Sequence, residues 1–111
     1  MEINITQKDN LQIATIKGDI DSSVASEVTE TIVPLVTENA KIILDMTEVE
    51  YMSSAGLRIL LSTHRQATAK EAKLILVGLS EDIKDTMSVT GFLDFFTVSD
   101  SIDDAKKQLE G

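Results

Sequence analysis

The sequence predicts an α/β fold: a mixed β-sheet that opens with an N-terminal antiparallel hairpin and continues in parallel strands, with about four helices. Three observations carry this. Two alternating segments at the start are separated by a short polar turn, two continuously apolar runs follow, and amphipathic stretches of helical period lie between them.

The first strand is Met1 to Gln7, where Ile3 and Ile5 alternate with Glu2, Asn4 and Thr6 in the pattern of a sheet-edge strand with one wet face. After Lys8-Asp9-Asn10, the stretch LQIATIK reads as a second strand, and so short a connection favours antiparallel pairing. Val24, Val28, Ile32, Leu35 and Val36 mark one stripe of a first helix. Pro34 removes a hydrogen bond and crowds the carbonyl of Glu30, so this helix is kinked or interrupted there. Ile42-Ile43-Leu44 and Leu74-Ile75-Leu76-Val77 are short apolar runs, as expected of strands covered on both faces. Between them Leu57, Leu60, Leu61 and His64 mark the stripe of a second helix.

A third helix is signalled by Ser80 as cap, Glu81 and Asp82 in its first turn, and Ile83, Met87 and Thr90 on one face before Gly91 as a stop. GFLDFFTV reads as a turn and a short strand or extended segment. Ser101 with Asp104 then opens a last helix bearing Ile102, Ala105 and Leu109. Crossovers of this kind make parallel neighbours and are right-handed. The segment Gly18-Asp19-Ile20-Asp21 and the segment Thr47 to Ser53 therefore leave the C-terminal ends of adjacent parallel strands, where open α/β sheets place their sites. Ser53, Ser54, Asp19 and Asp21 are predicted neighbours.

With 111 residues the chain is expected to be a single domain, residues 1–111. No apolar run approaches the roughly 18 residues of a membrane span, the N-terminus shows no signal-peptide pattern, and there are no cysteines, so a cytoplasmic home is the default expectation. A formal charge of −9 argues against nucleic acid, whose binders need a clustered basic surface. The same acidity suits either plain solubility or docking to a basic partner.

YMSSAGL, residues 51 to 57, holds two hydroxyls where a loop gives way to a helix. A serine nucleophile needs a base within reach, and the single histidine, His64, lies ten positions beyond Ser54 on the same helix, about 15 Å along the axis. Met52 also stands where a hydrolase elbow requires glycine. The chain is not expected to be an enzyme. With no cysteine, one histidine and acids that read as solvated faces, neither a metal nor any other cofactor is expected, and His64 is expected to be a partly buried packing residue. No phosphate-binding glycine loop occurs. Helix capping and covalent modification remain as readings of Ser53 and Ser54, and Asp19 and Asp21 read as turn residues beside Gly18.

The run ILDMTEVEYMSSAGLRILL resembles the signature of STAS domains, above all those of bacterial anti-sigma factor antagonists. Gly18-Asp19-Ile20-Asp21 is similar to the family's Gly-x-Leu/Ile-Asp turn, and Thr90-Gly91-Phe92 to its late Gly-Leu/Phe stretch, so the resemblance spans nearly the whole chain. It implies a STAS-like fold and a phosphorylated serine at Ser54. Ser53 stands where the family usually has Asp, which makes it the alternative acceptor; Asp21 corresponds to the turn aspartate near the phosphosite and Asp45 to the aspartate closing the central strand.

The resemblance further implies partner switching. The unmodified protein would bind an anti-sigma factor that is itself a serine kinase of the histidine-kinase ATPase fold, through Asp19, Asp21, Met52, Ser53, Ser54, Ala55, Gly56 and Leu57. Phosphorylation would release the kinase, and a metal-dependent serine phosphatase would reset the switch. The other role open to such a domain is that of an interaction subunit without a phosphorylation cycle, in a lipid-transport ATPase, a transporter tail or a stress-signalling assembly.

Overall fold

The computed structural model describes residues 1–110. Strands β1 (Glu2–Lys8) and β2 (Leu11–Lys17) form the expected antiparallel hairpin, turning at Asp9-Asn10, with Asp9 at φ 56°. β1 is more exposed than its alternation suggests: only Ile3 is half-buried. β2, β3 (Lys41–Glu48), β4 (Lys73–Val77) and β5 (Thr97–Ser99) are mutually parallel, and the sheet order is the chain order, β1-β2-β3-β4-β5.

The helices divide between the two faces. α1 (Ala25–Ile32), α2 (Ser54–Ala69) and α3 (Glu81–Val89) pack on the face that carries Ala14, Ile16, Ile42, Leu44, Met46, Leu74 and Leu76, forming the main core. α4 (Ile102–Glu110) alone covers the opposite face, with Ala105 and Leu109 against Ile43, Ile75 and Val77. The central strands β3 and β4 are thus covered on both sides, which is why they are continuously apolar.

Pro34 acts as expected. α1 ends at Ile32 and the chain tightens into a 3₁₀ turn over Val33–Leu35, while Val28, Ile32 and Val36 stay buried on one stripe. Ser80 caps α3 by accepting the amide of Ile83 at 3.2 Å, and Ser101 accepts that of Asp104 at 3.1 Å at the start of α4. GFLDFFTV resolves into a 3₁₀ turn, Phe92–Phe95, and β5.

Two stripes need correction. On α2 the buried line runs through Leu57, Leu60, Thr63 and Ala67, with Leu61 and His64 at its margin. On α3, Thr90 is exposed at the C-terminal cap, where its hydroxyl donates to the carbonyls of Thr86 and Met87. Thr63 is fully buried because its hydroxyl donates to the carbonyl of Ile59 at 2.8 Å, leaving a side chain that packs as an apolar one.

Candidate functional site

The loops after β2 and β3 are stitched together beyond the strands. Ile20 and Met52 form an isolated parallel bridge, in which the Ile20 amide donates to the Tyr51 carbonyl at 3.0 Å and the Ser53 amide donates to the Ile20 carbonyl at 2.9 Å. The Gly18 amide also donates to the Glu48 carbonyl at 3.1 Å. This brings the segment of Asp19 and Asp21 beside that of Ser53 and Ser54, as expected from the parallel topology.

The two serines have different fates. Ser53 occupies the N-cap position of α2 in extended conformation, yet its side chain accepts no first-turn amide, and its Oγ is buried without a hydrogen-bond partner. The capping reading therefore fails for the side chain, although the Ser53 carbonyl accepts the Leu57 amide at 3.1 Å and starts the helix. Ser54 is the first helical residue and is exposed.

α2 also differs electrostatically from its neighbours. The first turns of α1, α3 and α4 carry Glu27, Glu81 with Asp82, and Asp103 with Asp104, whereas that of α2 carries no acid. Its unpaired first-turn amides and the positive end of its dipole are left without a compensating charge from its own first turn.

Asp21 accepts both the amide and the hydroxyl of Ser23, at 2.9 and 2.5 Å, and the Asp21 carbonyl accepts the Val24 amide at 3.2 Å, so it builds the turn into α1. The bonds from Ser23 hold its carboxyl below the ordinary carboxylate value. Asp45 plays a like part at the end of β3, accepting the amide and hydroxyl of Thr47 at 3.1 and 2.6 Å. Asp19 is exposed.

Of the other candidates, Met52, Gly56 and Leu57 are buried and hold the loops, while Ala55 is half-buried. Gly56 is required on steric grounds, because a Cβ there would lie 3.0 Å from Ile20 Cγ2 and 3.2 Å from the Ile20 carbonyl oxygen, with Met52 Cγ closer still. Overpacking of this kind costs about 1–3 kcal/mol, against a gain of up to about 1 kcal/mol in helix propensity. Gly56→Ala is therefore expected to lower the unfolding free energy by about 1–2 kcal/mol, measured by denaturant titration.

His64 lies on the same helix as Ser54, half-buried, with its ring centroid 5.4 Å from that of Phe96 and 6.3 Å from that of Phe95. It packs against aromatic rings at a distance from the serines. Sequence reasoning missed Tyr51 as a surface feature: its side chain is 56 % exposed beside a depression of about 100 Å³ bounded by Glu50, Leu57, Asp82 and Thr86. Its position next to the serine pair was the available signal.

The chain belongs to the STAS domain family, which it matches over residues 2–105. It is 31 % identical to the anti-sigma-B factor antagonist of Bacillus subtilis, over 89 % of this chain and 93 % of that one. Its fold is that of an anti-sigma factor antagonist from Mycobacterium paratuberculosis, with a TM-score of 0.87 and 21 % identity over 99 % of this chain and 94 % of the other. It is also similar to the Bacillus cell fate determinant SpoIIAA in its phosphorylated form, with a TM-score of 0.74 and 15 % identity over 97 % of this chain and 99 % of that one. No helix among the described residues is long and apolar enough to cross a membrane.

Proposed function

We propose that this chain is an anti-sigma factor antagonist that acts by partner switching, with Ser54 as the phosphorylated residue. Its unmodified form binds an anti-sigma factor that is also a serine kinase of the histidine-kinase ATPase fold; the phosphorylated form is released, and a metal-dependent serine phosphatase restores it. The observation that carries this reading is the contrast between the serines: Ser54 Oγ is on an exposed residue at the start of a helix whose first turn lacks an acid, while Ser53 Oγ is buried.

In the transfer, Ser54 Oγ attacks the γ-phosphorus of an ATP held by the kinase, ADP leaves, and a base on the kinase takes the hydroxyl proton. This chain supplies the acceptor alone, since its histidine is ten residues further along α2. The product adds about −1.5 to −2 charges beside first-turn amides that can stabilise them. The names of the relatives support the regulatory role, and the phosphorylated form of SpoIIAA supports a modification cycle on this fold.

The test is incubation with ATP and a serine kinase recovered from the source cell by affinity capture on this chain. One phosphate is expected, on the peptide containing Ser54. Ser54→Ala should abolish it and Ser53→Ala should leave it; phosphate persisting to the same extent in Ser54→Ala would make the assignment wrong. Recovery of a transport ATPase in place of a kinase would favour the interaction-subunit role.

A further inference from the structure

From the free edge of the sheet we infer that β1 pairs with β1 of a second copy of this chain, across a two-fold axis through Ile5, to give a continuous ten-stranded sheet. β1 is the terminal strand of the sheet, seven residues long, without proline or bulge. Such an edge is a template for another strand unless something blunts it.

The register follows from the hairpin. A two-residue turn closes on a mutually bonded pair, here Lys8 with Leu11, and bonded and non-bonded pairs alternate from there. Thr6, Asn4 and Glu2 then point their backbone groups at β2. Gln7, Ile5 and Ile3 point theirs outward. Antiparallel self-pairing must set outward-pointing residues opposite one another, so the axis passes through a residue and not between two.

Three such axes overlap most of the strand. Through Asn4, Gln7 and Lys8 overhang; through Thr6, Glu2 and Ile3 overhang. Through Ile5 all seven residues pair, Ile3 with Gln7 and Asn4 with Thr6, and every outward amide and carbonyl of Ile3, Ile5 and Gln7 finds a partner. This register also sets Glu2 opposite Lys8 at both ends, two opposite-charge pairs related by symmetry. At its centre Ile5, 42 % exposed and on the same face as Ile3, Ala14 and Ile16, meets its own copy. The edge is thus self-complementary in bonds, charge and apolar surface at once, although the chain as a whole is acidic.

Strand pairing alone makes a small interface, so the dimer is transient, and the mutual repulsion of two chains of charge −9 requires measurement near physiological salt. Sedimentation equilibrium up to about 1 mM chain is expected to show the average mass rising from one chain toward two. Over the same range, hydrogen exchange at the amides of Ile3, Ile5 and Gln7 should slow with concentration. Ile5→Lys, which places two cations at the axis, should weaken association at least tenfold, with thermal melts confirming that it folds.

The deciding experiment is a charge exchange. Glu2→Lys and Lys8→Glu, each alone, should weaken association by about threefold to tenfold, and the two together should restore it. A single-chain mass at every concentration, association indifferent to Ile5→Lys, or a double variant no better than the singles would each overturn the proposal.

Discussion

Ser54→Asp is expected to weaken binding to the partner kinase at least tenfold while leaving the thermal midpoint close to that of the unsubstituted protein. The two halves rest on different neighbours of one side chain. Within the molecule, Ser54 is exposed at the first turn of α2, where a negative charge faces unpaired amides and the dipole's positive end, worth some tenths of a kcal/mol up to about 1. Across an interface the same charge meets a surface matched to a neutral hydroxyl, and an unmatched buried charge costs about 2–5 kcal/mol, roughly thirty-fold to several-thousand-fold in affinity. A carboxylate carries less charge than a phosphate, hence the lower bound of tenfold. Ser54→Ala should bind persistently in the presence of ATP. Calorimetric titration and thermal melts check both halves; loss of binding accompanied by loss of stability would contradict an electrostatic gate, and unchanged binding by Ser54→Asp would remove Ser54 from the interface.

The largest effect on stability is expected at Gly78, in the loop after β4. Its φ of 74° lies in the left-handed region, and a Cβ there would come within 2.9 Å of Thr47 Cα and 3.0 Å of the Thr47 amide nitrogen, with Thr47 Oγ1 nearer still. Thr47 cannot withdraw freely, because its amide and hydroxyl are both held by Asp45. Left-handed strain of about 1–2 kcal/mol and overpacking of about 1–3 kcal/mol act together. Gly78→Ala should therefore cost about 2–4 kcal/mol and lower the thermal midpoint by roughly 10 °C or more. Gly91→Ala is the internal control. Its φ of 80° is similar, but nothing lies within 4 Å of the added Cβ, so only the strain should appear. Equal costs at the two positions would mean that the approach to Thr47 contributes nothing.

The features legible in the sequence were those written in local chemistry. The hairpin of β1 and β2, the unbroken apolar runs of β3 and β4, Pro34 ending α1, and the serine caps of α3 and α4 all depend on residues near one another in the chain, and each appears in the structure. The juxtaposition of the Asp21 and Ser54 loops was legible too, because parallel pairing dictates which strand ends coincide. What escaped was decided by rotamers and by tertiary space. Thr63 reads as polar but hides its hydroxyl on its own helix, so the buried stripe of α2 runs through it and leaves Leu61 and His64 at the margin. Ser53 carries the residue type of a cap, yet its Oγ turns inward without a partner. The need for glycine at position 56 comes in part from Ile20, whose side chain and carbonyl crowd it and which has no sequence proximity to it.

The bridge between Ile20 and Met52 joins positions more than thirty residues apart, and Ser54 inherits its presentation from that joint. A linear peptide around the serine would carry the same letters without the loop that Ile20 pins in place or the close approach of Ile20 to Gly56. If Ser54 is the acceptor proposed above, its display is a property of the finished molecule: nascent, truncated or heat-damaged chains would not show it. On that proposal, a modifying enzyme that reads this shape would ignore misfolded copies, and the signal would report the amount of intact protein and not the amount synthesised.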